Sequence, residues 1–467
     1  MATYARLTLP FLPLVASLQG CNPGAANPVK AAMAEHRAAL EAPAAVVFRF
    51  AGERGGDARL YVLPGLNEAA WRFRTPGLTV ERMVGFSRDR DEVYLLTASG
   101  ELTTLDLTTG RARVIDTSVV AAAMGPTGVV HLVHRDGSLG SLTFRAVTPW
   151  PGKLDPLPET IWGGGTERLV ALVPAPRERQ LVALAAGKPP VTQRIPGGPI
   201  AVSNWGDLAV VAVDSGLLVL DPADSTRRRF HALSEAPDAV GISPSQHRIY
   251  VATADRQLLM LDRASLETAE RLRLPGRAGA LRVDPLGRLL LIRPARGDSI
   301  WLVDPAGAHL LGTVPAAWRD DLPAVAPDGS ILVAHGRDIE AYATDSLTVG
   351  GRVADGARDR WLAAAWDPRR PALQLAADTA TAVVPIAAGL AIYVQVGSTA
   401  NQAWAEESAR QLRTAGMRAG VLPPTTTDEP YRVVLGPYPT REAAETAGRK
   451  LGRPFWIFMR EGQEAPR

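Results

Sequence analysis

The sequence predicts a mainly β chain, a long array of short strands followed by a small α+β module. Three observations predict it. Gly (43) and Pro (38) make up about a sixth of the 467 residues, too many for a helical bundle and suited to a turn-rich β protein. Between residues 45 and 388, apolar runs rich in Val, Leu and Ile alternate with Gly, Asp and Pro turns, which is strand chemistry. From residue 389 the pattern changes to strands separated by segments of helical period. With 46% hydrophobic residues there is ample material for cores, so global disorder is excluded. Lys and Arg (51) nearly balance Asp and Glu (48), and no basic block marks a nucleic-acid partner.

The first segment has the grammar of an address. Residues 1–6 carry one positive side chain, Arg6, and residues 7–18 (LTLPFLPLVASL) form an apolar run too short to span a bilayer. The run ends in Leu18-Gln19-Gly20-Cys21, and Cys21 is the single cysteine, so no internal disulfide is possible. The segment resembles a bacterial lipoprotein signal. That resemblance implies removal of residues 1–20, lipid on Cys21 and, with Asn22 next, placement on the periplasmic face of the outer membrane. The alternative is a lone cysteine behind an ordinary signal. Each buried methylene of an acyl chain contributes about 0.8 kcal/mol to anchoring. Residues 21–44 read as a Pro/Gly/Asn-containing tether, with a short Ala-rich helix over 28–40.

Residues 45–388 repeat. One unit is a strand, a turn opened by Ser-Pro, Asp-Pro or Asp-Gly, and a second strand: GFSRDRDEVYLLT (85–97), GISPSQHRIYVAT (241–253), LRVDPLGRLLLIR (281–293) and AVAPDGSILVAH (324–335). A second unit is an apolar strand closed by Asp, as in SGLLVLDPAD (215–224), RQLLMLDRAS (256–265) and DSIWLVDPAG (298–307). Asp221, Asp262 and Asp304 stand 41 and 42 residues apart. A period near 40 with about four short strands per period is the signature of a β-propeller blade. The array resembles the WD-repeat-like and YVTN-like propellers of bacterial envelope proteins, without their Trp-Asp dipeptide. Repeat starts near 82, 120, 160, 199, 239, 280 and 323 give seven blades. Strands at 47–50, 59–63 and 70–74, joined by 373–385, would close an eighth from both ends, and the reading leans to eight. The recurrent Asp and Gly residues are expected to serve turns, not a metal array.

Residues 389–462 read as β-α-β-β-α-β, the split βαβ (ferredoxin-like or RNP-like) plan with both helices on one sheet face. The strand AIYVQVGS (391–398) alternates, with Ile392, Val394 and Val396 on one side and Tyr393, Gln395 and Gly397 on the other. A helix over 401–415, a strand near 418–422, the strand YRVVLGPY (431–438), a helix capped by Thr440 and a last strand PFWIFM (454–459) follow. The blocks Tyr393-Val394-Gln395-Val396-Gly397-Ser398 and Tyr431-Arg432-Val433 with Leu435-Gly436-Pro437-Tyr438 carry a resemblance to the SPOR (sporulation-related repeat) family over about 70 residues. The resemblance implies binding to septal peptidoglycan, specifically glycan strands stripped of their stem peptides. Thr399 and Val434 depart from the family pattern.

A sugar polymer needs flat apolar platforms and groups that pair with hydroxyls. Gln395 offers donor and acceptor, Ser398 a hydroxyl, and Arg432 a partner for a lactyl carboxylate. Tyr393, Tyr438 and Trp456 are candidates for stacking, although Tyr393 and Trp456 fit half-buried sheet packing equally well. No HExxH, phosphate loop or Gly-x-Ser-x-Gly elbow occurs, and His131 and His134 would leave a strand on opposite faces. The sequence thus predicts a non-enzymatic periplasmic lipoprotein without a cofactor. Its partners would be denuded glycan, the membrane through Cys21, and a protein on the propeller, with a role in division at the septum or in envelope organisation. The contrasting reading is a propeller enzyme, of hydrolase, lactonase or quinoprotein type, targeted to the wall.

Overall fold

The computed structural model describes residues 45–52, 55–73, 75, 77–87, 91–107, 109–143, 146–165, 168–176, 178–366, 390–399, 402–414, 417–424, 429–450 and 455–461. The expected signal, Cys21, the tether with its helix, and the strand at 373–385 lie outside these residues. Among the described residues no helix is long and apolar enough to cross a membrane.

The middle strands dictate the architecture. Runs such as Glu92–Thr97 are buried at every position, because each is apolar on both faces and must be covered on both. Among the described residues, eight four-stranded antiparallel sheets supply that cover. The second to eighth are meanders taken in chain order, with first strands Val80–Ser87, Val119–Met124, Thr160–Gly163, Ile200–Val202, Pro237–Ile242, Ala278–Val283 and Ala324–Val325. The fourth strand of the fifth sheet, Asp224–Ala232, is polar and exposed, with Arg227, Arg228 and Arg229. Charge on such an edge discourages pairing with another chain.

The first sheet draws on both ends of the array. Ala45–Phe50 lies between Ala58–Val62 and Arg360–Ala365, and Asn67–Phe73 completes it. The partner of Ala45–Phe50 is therefore Arg360–Ala365, paired from Ala45 with Ala365 to Phe50 with Arg360, and not the expected segment 373–385. Arg49 and Asp359 form an ion pair at 2.5 Å beside this seam. The Trp361 indole donates to the Gly356 carbonyl at 2.8 Å while its ring packs on Tyr61.

Apolar clusters join consecutive sheets. Leu132 and Tyr94 join the second and third, Leu169 and Val133 the third and fourth, and so on to Leu332 and Val47, which join the eighth to the first. The first and second meet where Arg360 Nε donates to the Glu81 carbonyl at 2.9 Å. The sheets thus follow one another and return to the start, the repeated packing of a propeller. A side chain at Gly163 would lie 2.7 Å from the Gly125 backbone, and one at Gly164 2.7 Å from the Trp205 carbonyl. The Gly163-Gly164-Gly165 run thus lets neighbouring sheets approach.

The recurrent acids do turn work. Asp221, Asp262 and Asp304 each accept the backbone N–H two residues on, at 2.8–2.9 Å. Ser203, Ser243 and Asp284, which open the strand–turn–strand units, accept backbone N–H groups across their turns at 3.0–3.2 Å. Among the described residues no three His, Asp or Glu side chains gather as a metal site.

Candidate functional site

The C-terminal sheet is ordered Ala419–Leu422, Tyr431–Tyr438, Leu390–Thr399, Trp456–Glu461, with antiparallel neighbours throughout. Two helices, α1 (Gln402–Thr414) and α2 (Arg441–Lys450), accompany it. Ala405, Ala409 and Leu412 of α1 recur at helical spacing and meet Val394, Val396, Val433 and Leu435 of the sheet, with Ala444 from α2. Thr440 Oγ1 accepts the Ala443 N–H at 3.2 Å and caps α2.

This core fixes the two faces. Neighbours along a strand point opposite ways, and directly paired residues point the same way. Tyr393 pairs with Phe458, Gln395 with Trp456 and Val434, and Ser398 with Arg432. All of these lie on the face away from the helices. The register shifts between Gln395 and Gly397, so that Gly397 pairs with Val433 on the helix side. Strict alternation had placed Gly397 beside Gln395. The bulge reverses it and brings Ser398 round to the Gln395 face. Tyr438 pairs with Ile392 and packs against the helix-side core, away from the other named residues. Five of the six residues read from the sequence as glycan contacts therefore share one face.

Rings and the Arg432 guanidinium stand on that face. Tyr393 and Phe458 stack with centroids 5.8 Å apart and planes inclined by 25°. The Arg432 guanidinium lies 5.5 Å from the Phe458 centroid, with Glu429 at 3.9 Å. Sequence reasoning missed Phe458, although its spacing of two from Trp456 puts both on one face once either is fixed. Trp456 is 47% exposed and its ring lies 5.3 Å from that of His247.

His247 belongs to the propeller. It sits in the turn between Pro237–Ile242 and Arg248–Thr253, beside Gln246, whose φ is 60°. Burial, then the positive charge of Arg248, lowers the His247 pKa to about 4, against the opposing pull of Asp262. Next to it Arg263 is buried and fully engaged. Its guanidinium donates to Asp207 Oδ2 at 2.9 Å, to Gln246 Oε1 at 3.0 Å and to the Ser398 carbonyl at 3.2 Å. One side chain thus ties the turns of the fifth and sixth sheets to the strand carrying Gln395. A cavity of about 360 Å³ lies alongside, lined by Arg168, Lys188, Asp221 and Arg227 from the propeller and by Gln402 and Tyr431. Burial pushes the Asp221 carboxyl up and the Arg168 guanidinium down.

A second cluster has the residue types of a hydrolase. His134 Nε2 is 3.0 Å from Asp116 Oδ2, and His134 Nδ1 is 3.2 Å from Ser138 Oγ. The hydroxyl, however, donates to Asp136 at 2.6 Å, and Nδ1 also faces the Ser138 carbonyl at 3.2 Å. The serine proton is thus directed at Asp136 and not at His134. The cluster clamps a hairpin. His131, on the opposite side of the strand, is buried, and its Nε2 meets the Gly165 carbonyl at 2.8 Å.

Residues 391–454 match the SPOR domain family. The region before them resembles β-propeller proteins. Apo AztD from Citrobacter koseri is 13% identical, over 69% of this chain and 98% of that one, with a TM-score of 0.47. The dihydro-heme d1 dehydrogenase NirN, in complex with DHE, is 16% identical over 68% and 74%, with a TM-score of 0.48. The Cps50 (Swd1) β-propeller domain of Myceliophteria thermophila is 12% identical over 56% and 93%, with a TM-score of 0.38. No curated protein matches the chain.

Proposed function

We infer that the protein binds the cell wall through its SPOR domain, taking glycan strands that lack stem peptides, while the propeller serves as a scaffold for a protein partner in cell division or envelope organisation. The observation that carries this reading is the SPOR match at 391–454 joined to a helix-free sheet face bearing Tyr393, Phe458, Trp456 and Arg432. The aromatic rings offer platforms for pyranose faces. Arg432 offers a charge-assisted bond to a lactyl carboxylate that peptide removal exposes. Gln395 and Ser398 add amide and hydroxyl groups for sugar hydroxyls. In this reading lipid on Cys21 holds the other end of the chain at the outer membrane. Two attachments on one chain raise residence at the wall beyond either alone.

The test is co-sedimentation of the full chain with peptidoglycan, intact and after amidase treatment. Binding should rise on amidase-treated wall and fall at least tenfold in an Arg432→Ala, Trp456→Ala double variant. Equal sedimentation with both walls, or no loss in the double variant, would overturn the reading.

A further inference from the structure

The geometry points to a closed form in which the propeller and the glycan strand compete for the same sheet face. This rests on the wall-binding reading above and adds its regulation. The starting observation is burial without helices. Gln395, Ser398 and Val434 lie on the face that α1 and α2 do not touch, yet they are only 4%, 2% and 2% exposed. Something else in the chain covers them, and the contacts identify it. Arg263 donates to the Ser398 carbonyl, and His247 packs its ring on Trp456. The covering surface is therefore the propeller patch formed by Asp207, Gln246, His247 and Arg263, and its partner is the chain's own C-terminal sheet.

Two features make this contact reversible. Arg263 keeps Asp207 and Gln246 as acceptors whether or not the sheet is docked, so opening exposes one carbonyl and strands no charge. The rim of the face stays accessible, with Trp456 47% exposed even beside His247 and with Tyr393, Phe458 and Arg432 half-buried. A glycan can engage that rim first and then displace the propeller. When only the open fraction of molecules binds, the apparent dissociation constant rises in inverse proportion to that fraction. Weakening the dock should therefore strengthen wall binding.

The experiment titrates the full chain against amidase-treated peptidoglycan as wild type, His247→Ala and Arg263→Met. The first substitution lies in a half-buried turn, outside the strands of the propeller, and tests the dock if the second disturbs folding. Both variants should bind about tenfold more tightly than wild type, the change expected if the closed form outnumbers the open one by about ten to one. Equal binding by all three would overturn the competition and leave wall binding standing. Binding by none would overturn the wall-binding reading and the competition with it. An independent readout uses Gln395→Cys in a Cys21→Ser background. Maleimide labelling should be slow in the otherwise wild-type chain and at least tenfold faster with His247→Ala. Labelling at the rate of a free thiol in both would also refute the closed form.

Discussion

Replacing Asp207 by Ala tests the clamp that ties propeller to sheet. The Asp207 and Arg263 side chains are 2% and 9% exposed, and their charged atoms are 2.9 Å apart. Removing the carboxylate leaves a guanidinium where water scarcely reaches, and breaking a buried pair from one side costs about 3–5 kcal/mol. Gln246 and the Ser398 carbonyl remain as acceptors, so we expect the lower end, about 3 kcal/mol. With a urea slope of about 3 kcal/mol per molar, the unfolding midpoint should fall by about 1 M. Asp207→Asn, which keeps a carbonyl acceptor, should lose about half as much. The double variant Asp207→Leu, Arg263→Met removes both charges and should recover most of the loss. Urea titrations of these proteins and of the Asp207→Leu and Arg263→Met single variants, followed by circular dichroism and fluorescence, close the cycle and give the coupling energy. A cost below about 1 kcal/mol for Asp207→Ala, or single costs that simply add in the double variant, would refute the reasoning.

Trp361→Ala removes a ring that is 2% exposed and its bond to Gly356 at the closing sheet. It should cost about 3–5 kcal/mol in chemical denaturation, and a loss under about 1 kcal/mol would deny that sheet its role. Gly351→Ala places a Cβ 2.4 Å from the Gly65 backbone. Neither the strand carrying Gly351 nor the turn carrying Gly65 can yield freely, so the thermal midpoint should drop by the equivalent of about 1–3 kcal/mol, and an unchanged midpoint would contradict the packing of eighth sheet on first. His247 predicts a pH effect. Ser245, Arg248, Asp262 and Trp456 surround it, and its pKa falls from 6.5 to about 4 on folding. A lowered folded-state value means the unfolded chain binds the extra proton. The contribution is therefore complete above about pH 6.5 and is lost as pH falls towards 4, by about 3 kcal/mol in all. His247→Gln should flatten that part of the stability profile, and a profile identical to wild type would count against the burial.

Periodicity carried much of this fold into the sequence. Repeat starts read near 82, 120, 160, 199, 239, 280 and 323 lie within three residues of observed first strands. This is because each unit repeats the same chemistry, a Ser or Asp that caps a turn followed by an apolar run. The closing strand was less legible. Arg360–Ala365 and 373–385 are both apolar enough to be strands, and only the pairing with Ala45–Phe50 decides between them. In the C-terminal sheet, alternation placed Tyr393 and Gln395 together. It failed at Gly397 because a one-residue bulge has no sequence mark as strong as the period that it interrupts. Tyr438 sat beyond a second register shift, between Ile392 and Val394, and so turned to the helix side. The cover over Gln395 was invisible because Arg263 lies 135 residues from Ser398, and no local pattern records a contact of that separation.

The most direct test of the account is calorimetric titration of the full chain with a soluble glycan oligosaccharide of alternating N-acetylglucosamine and N-acetylmuramic acid, free of peptide. The account predicts saturable binding that is lost in the Arg432→Ala, Trp456→Ala variant and strengthened in His247→Ala. Absence of binding by wild type and His247→Ala alike, with both proteins folded, would contradict it.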